Sequence, residues 1–142
     1  MNTDLAAQNA IDRLDKDGFD ALSEIEKTLA TVWLFEAGVQ NSGFAEYFAS
    51  RRGNLAFNAP AALRTIGANQ YAEIAAEANA VFGRAGPPRD YDTRRALARV
   101  FDDATRRNLD SADERFYVCP EDCDQLLEGF LARNNRHKTE ET

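Results

Sequence analysis

This chain of 142 residues is short of the side chains that carry most enzymatic and cofactor chemistry: it has one histidine, His137, two cysteines, Cys119 and Cys123, one methionine and one tryptophan. A closed zinc site wants four ligands, so two thiols and a histidine near the chain end argue against one. Cys119 and Cys123 stand four residues apart, an arrangement poorly aimed for a disulfide on a helix. Cys123 reads as a small core residue, whereas Cys119 precedes a helix start that favours a thiolate. With no histidine base nearby, neither thiol has the partner that nucleophilic catalysis requires. Glycine-rich phosphate loops are absent, and strand signals shrink to Phe116-Tyr117-Val118-Cys119, read as an extended connector. No apolar run reaches the length of a membrane helix, and the opening MNTDLAAQNAIDRLDKDG is polar and acidic, unlike a secretory leader. The expectation is a cytoplasmic protein with no cofactor and no metal.

Charge is lopsided. Asp and Glu number 24 against 17 Lys and Arg, a formal net charge of -7, which repels nucleic-acid phosphates and disfavours direct DNA binding. Residues 1–46 hold nine acids and three bases, residues 47–109 six and ten, and residues 110–142 nine and four. Two acidic ends therefore flank a basic middle. Folding either cancels them against each other or leaves a dipolar surface.

Periodicity and punctuation describe one all-α domain of about seven helices over residues 1–134, with a disordered tail at 135–142. Ala7, Ala10, Ile11 and Leu14 mark a first helix stopped by Gly18. Ser23 and Glu26 form a capping box that opens a long helix ending near Gln40. Asn58 with Pro60 starts a segment closing at Gly67, and Asn69 is expected to cap the next helix, whose inward stripe is Tyr71, Ile74, Ala75, Ala78 and Phe82. After Gly86-Pro87-Pro88, helix resumes at Asp92 or Thr93 with Leu97, Val100, Phe101 and Ala104 inward. Its outer face, Asp92, Arg95, Arg99, Asp102, Asp103, Arg106 and Arg107, reads as solvated and internally paired. Pro120 opens the last helix, with Cys123, Leu126, Leu127, Phe130 and Leu131 as its stripe. Asp15, Asp17, Gly18 and Glu24 imitate part of a calcium loop, but Arg13 stands where the first carboxylate belongs.

The long helix carries one anomaly. Leu22, Ile25, Leu29, Val32, Glu36 and Val39 share a face, so Glu36 sits on an otherwise oily stripe. A buried carboxylate needs a partner or a raised pKa, since isolation in a core costs several kcal/mol, roughly. The break at Asn41-Ser42-Gly43 frees backbone N–H groups that Glu36 is expected to accept from, and a short helix then places Phe44, Tyr47 and Phe48 on one face. Two readings stay open. Glu36 is a structural staple, or Glu36, Asn41 and Tyr47 line a polar pocket with Glu36 as a base.

The run LSEIEKTLATVWLFEAGVQNSGFAEYF, Leu22 to Phe48, resembles a family of mostly uncharacterised bacterial domains named for a DNA-mimic protein. The family's hallmark is a Glu, a Val-Asn-Asn-Gly-Gly-Phe turn and a Gln-Tyr-Phe. Glu36, Val39, Asn41, Gly43, Phe44, Tyr47 and Phe48 match it, while Gln40, Ser42 and Glu46 depart from it. Fragments at 62–68, 116–117 and 122–134 also look alike. The resemblance implies the helical fold and raises the prospect of DNA mimicry, which resides in surface charge.

A cluster of acids answers to that prospect: Asp110, Asp113, Glu114, Glu121, Asp122 and Asp124 are the candidate contacts to a partner. Three functions follow as expectations. The first is an acidic, non-enzymatic module that binds another protein, a basic DNA-binding protein by mimicry of its DNA. The second is an enzyme or small-ligand binder using Glu36, Asn41 and Tyr47, with Gly43 and Phe44 shaping the turn. The third is an immunity-type protein that neutralises a toxin.

Overall fold

A computed structural model describes residues 3–141, the last seven of them by backbone alone. Seven α-helices and three 3-10 segments follow one another, with no strand among the described residues. The helices are α1 (Thr3–Asp17), α2 (Glu24–Ala49), α3 (Ala59–Thr65), α4 (Asn69–Asn79), α5 (Tyr91–Arg99), α6 (Asp103–Val118) and α7 (Cys123–Glu141). The 3-10 segments are Phe19–Ala21, Arg51–Asn58 and Ala80–Phe82. The expected disordered tail at 135–142 lies outside the residues whose side chains are described.

α2 is the axis. It packs against α1, α3, α5, α6, α7 and Arg51–Asn58, while α4 closes the far side on α3 and α6. The capping box starts it as the sequence reading expects: Ser23 Oγ accepts from Glu26 N at 3.1 Å, and Glu26 Oε1 accepts from Ser23 N at 2.9 Å. Phe35, Phe44, Tyr47 and Phe48 are fully buried along it. Phe35 alone meets the rings of Phe44, Tyr47, Tyr71 and Phe116, at centroid distances between 5.7 and 6.4 Å. Each fully buried ring is worth about 1.5–3 kcal/mol of transfer free energy, which makes this cluster the chief apolar anchor of the fold.

The kink is real. Gly43, at φ 80° and ψ 171°, leaves the helical region inside α2. A Cβ there would suffer the positive φ and lie 2.8 Å from an oxygen of Asp113, so both backbone and space require glycine.

Four expectations need correction. Phe116–Val118 is no connector but the last turn of α6, which ends at Cys119. Asn69 is the first residue of α4 and supplies no side-chain cap. The helix expected to run on from Asp92 past Ala104 breaks at Val100–Asp102 into α5 and α6, since Asp90 caps one (Thr93 N donating at 2.9 Å) and Asp102 caps the other (Thr105 N donating at 2.8 Å). Its inward stripe is also rotated: Val100 is 76% exposed and Leu97 44%, whereas Arg94 and Ala98 face the core.

Arg94 is the largest fully buried side chain. Its guanidinium meets neutral acceptors only: the carbonyls of Phe48 (2.7 Å), Ser50 (2.8 Å), Pro88 (3.0 Å) and Arg89 (3.2 Å), and Asn54 Oδ1 (2.7 Å). It thereby satisfies the carbonyls left over where α2 ends, and burial lowers its pKa. The neighbouring charges are not paired as expected. Among the described residues Asp92, Arg95, Arg99, Asp103, Arg106 and Arg107 form no ion pair.

Candidate functional site

The break at Gly43 interrupts the i→i−4 ladder of α2 and frees backbone groups on both sides. α6 satisfies them from one face. Asp113 Oδ1 accepts from Phe44 N at 2.7 Å, and four residues on, Tyr117 Oη lies 3.3 Å from the carbonyls of both Val39 and Gln40. The staple expected of Glu36 is therefore supplied by Asp113, 69 residues away in sequence. Burial raises the Asp113 pKa, the Phe44 N–H opposes that rise, and Asp110 adds to it.

Glu36 is left without a donor among the described residues. Half-buried, it lines an open cleft of about 370 Å³ with Asp4, Trp33, Ala37, Gln40, Asn41 and Asp124. Three helices meet there: α1 contributes Asp4, α2 Glu36 and α7 Asp124. Burial pushes the Glu36 carboxyl up to about 7, and the charges of Asp124, Asp122 and Asp4 push the same way. Asp124 is raised by burial, by Asp122 and by Asp4. No group of His, Cys, Asp and Glu among the described residues is arranged to hold a metal ion.

Of the expected pocket, the structure keeps two members and separates the third. Asn41 lines the cleft beside Glu36. Tyr47 is buried in the aromatic core, with its ring against Gly38 and its hydroxyl without a partner among the described groups. Gly43 and Phe44 supply the break itself, as expected of the turn.

The candidate contact acids divide by occupation. Asp113 holds the break. Glu121 caps α4 from outside it, accepting from Gln70 N at 3.2 Å and Tyr71 N at 2.8 Å, the role expected of Asn69. Asp122 caps α7, accepting from Gln125 N at 3.1 Å. Asp110, Glu114 and Asp124 are exposed and form no ion pair among the described residues. The Asp122 cap is local, but no signal within one short window marks Asp113 and Glu121, because the backbone N–H groups they serve lie 69 and about 50 residues away.

Burial raises the pKa of both thiols. Cys119 also has Glu121 beside it, so the expected low-pKa thiol is corrected. Cys123 is a core residue as expected. No described helix is long and apolar enough to cross a membrane.

A family model described as "DMP19-like protein" matches residues 20–135, well over half of the chain, from the segment before α2 into α7. No curated protein and no solved structure matches the chain.

Proposed function

Because this chain belongs to the DMP19-like family, we propose that it is an acidic protein-binding module that regulates a DNA-binding protein by mimicking the charge of its DNA, and that it acts without catalysis. The supporting observation is the meeting of the two acidic ends of the sequence. α1 and α7 pack against each other and against α2, bringing Asp4 and Asp124 to one cleft with Glu36. The five ion pairs among the described residues engage Asp17, Asp20, Glu24, Glu26 and Glu77, so Asp4, Asp15, Asp110, Glu114, Asp124 and Glu128 have no ion-pair partner among those residues. Carboxylates without such partners attract a groove built for phosphates and displace its counterions in the same way. With a DNA-binding protein as the partner, the proposed place of action is the cytoplasm.

The test is competition. A basic DNA-binding protein captured on the immobilised chain should be released by duplex DNA and by moderate salt. Charge reversal at Asp110, Glu114 and Asp124, which leaves the three caps intact, should weaken capture at least tenfold. Capture indifferent to both duplex DNA and reversal contradicts the proposal. A second reading, a small ligand bound against Glu36, draws on its raised pKa in an open cleft beside Trp33 and Asn41. It expects a metabolite to shift the Trp33 emission and Glu36→Gln to abolish that shift without unfolding the protein.

A further inference from the structure

The first helix is fastened unequally along its length. At its C-terminal end Arg13 pairs with Glu26 at 2.8 Å and donates to the Ala21 carbonyl at 3.1 Å, while Gly18 N closes the last turn on Leu14 O at 2.9 Å. Within residues 3–10 the side chains packed on the core are Ala7 and Ala10, both buried, and the partly buried Ala6, three small groups that remove little apolar area from water, whereas the larger Ile11 and Leu14 pack further along. At the N-terminal end Asp4 shares the cleft with Glu36 of α2 and Asp124 of α7, and Asp122, just before α7, adds its charge to both Glu36 and Asp124. Among the described residues no Lys or Arg forms an ion pair with Asp4, Glu36, Asp122 or Asp124. The other titratable neighbours of Glu36 are the Tyr71 hydroxyl of α4 and the Cys123 thiol of α7, neither of which brings positive charge. A weak apolar seam and a cluster of like charges thus share the same two turns.

We propose that the N-terminal half of α1, residues 3–10, is a pH-sensitive latch, docked over the cleft when Glu36 carries a proton and released when that proton passes to solvent. Protonation takes one negative charge away from beside Asp4, Asp122 and Asp124, and the neutral carboxyl gains an O–H donor that Gln40, Asn41 or either aspartate of the cleft can accept. Ionisation restores that negative charge and removes that donor. The C-terminal half stays held by Ile11 and Leu14 against the core and by the contacts of Arg13, so the motion is a local opening of two turns about a held end. Burial and the surrounding acids set the switch near neutral pH, within the range a cell visits. Release uncovers the α2 and α7 walls of the cleft with their carboxylates. That gives the acidic surface a pH-controlled extent whatever its partner is.

Amide hydrogen exchange on the full chain tests the latch, read at pH 6 and pH 8 after correction for intrinsic rates. Residues 4–10 should lose protection at least tenfold at pH 8, while α4 to α6 remain protected at both values. Trp33, the sole tryptophan and a wall of the cleft, should shift its emission to the red over the same interval. Glu36→Gln should keep residues 4–10 at pH 8 as protected as the wild type is at pH 6. Asp4→Asn and Asp124→Asn, both at exposed positions, should each move the midpoint downward, because each removes a charge that raises Glu36. Equal protection of residues 4–10 at the two pH values, or loss of protection throughout α4 to α6, overturns the latch.

Discussion

Two half-buried carboxylates bracket the second half of α2 and have opposite fates. Asp113 reaches from α6 to the break and takes the Phe44 N–H at 2.7 Å, whereas Glu36, seven residues before Gly43 on α2 itself, finds acids in place of donors. Both are raised by burial, but only Asp113 has a hydrogen bond opposing the rise. Burial alone therefore does not say what a carboxylate does. The donor it meets decides whether it becomes a fixture of the fold or a titrating group. Arg94 repeats the first case with the sign reversed, a buried charge fully surrounded by acceptors.

Substitutions at these positions sharpen the comparison. The largest effect belongs to Arg94→Ala, which orphans several carbonyls and leaves a cavity. It should cost about 3–5 kcal/mol in urea unfolding, and Arg94→Lys should recover little because an ammonium lacks the planar fork. Asp113→Ala should cost about 1–3 kcal/mol by leaving the Phe44 N–H unpaired beside the core, with Asp113→Asn retaining most of the loss-free packing and part of the bond.

Glu36→Gln should do the opposite. A folded-state pKa near 7 against an ordinary 4.5 means that the folded chain holds a proton the unfolded chain releases. Wild-type stability should then fall as pH rises from about 4.5 to about 7 and level off above it. Glu36→Gln should remove that slope, gaining about 1–2 kcal/mol at pH 8 once solvent screening is discounted, and nothing at pH 4. The smallest effect is expected from Glu121→Ala, about 1 kcal/mol for a lost helix cap, visible as faster exchange at the start of α4. A destabilising Glu36→Gln at pH 8 would erase the contrast between the two carboxylates.

What the sequence disclosed was local. The capping box at Ser23 and Glu26, the stops at Gly18 and Gly67 and the break at Gly43 each depend on residues a few positions apart, and all of them stand. The caps Asp90–Thr93 and Asp102–Thr105 are equally local, yet the apolar run Leu97, Val100, Phe101 and Ala104 continues in helical spacing across the break between the two helices they start. Glu36 was legible as an anomaly because its neighbours on the stripe are apolar. Its partner was not. The groups that satisfy the break, Asp113 and Tyr117, come from a helix far along the chain, and Arg94 lies among other arginines with carbonyl acceptors that no residue letter displays.

The most direct measurement is a carboxyl-carbon NMR titration of Glu36 in the intact chain between pH 3 and pH 9. The account predicts a midpoint near 7, shifted downward when Asp4 or Asp124 is neutralised to Asn. A midpoint near the ordinary 4.5 would contradict it, because Glu36 would then have found the donor that the structure assigns to Asp113 alone.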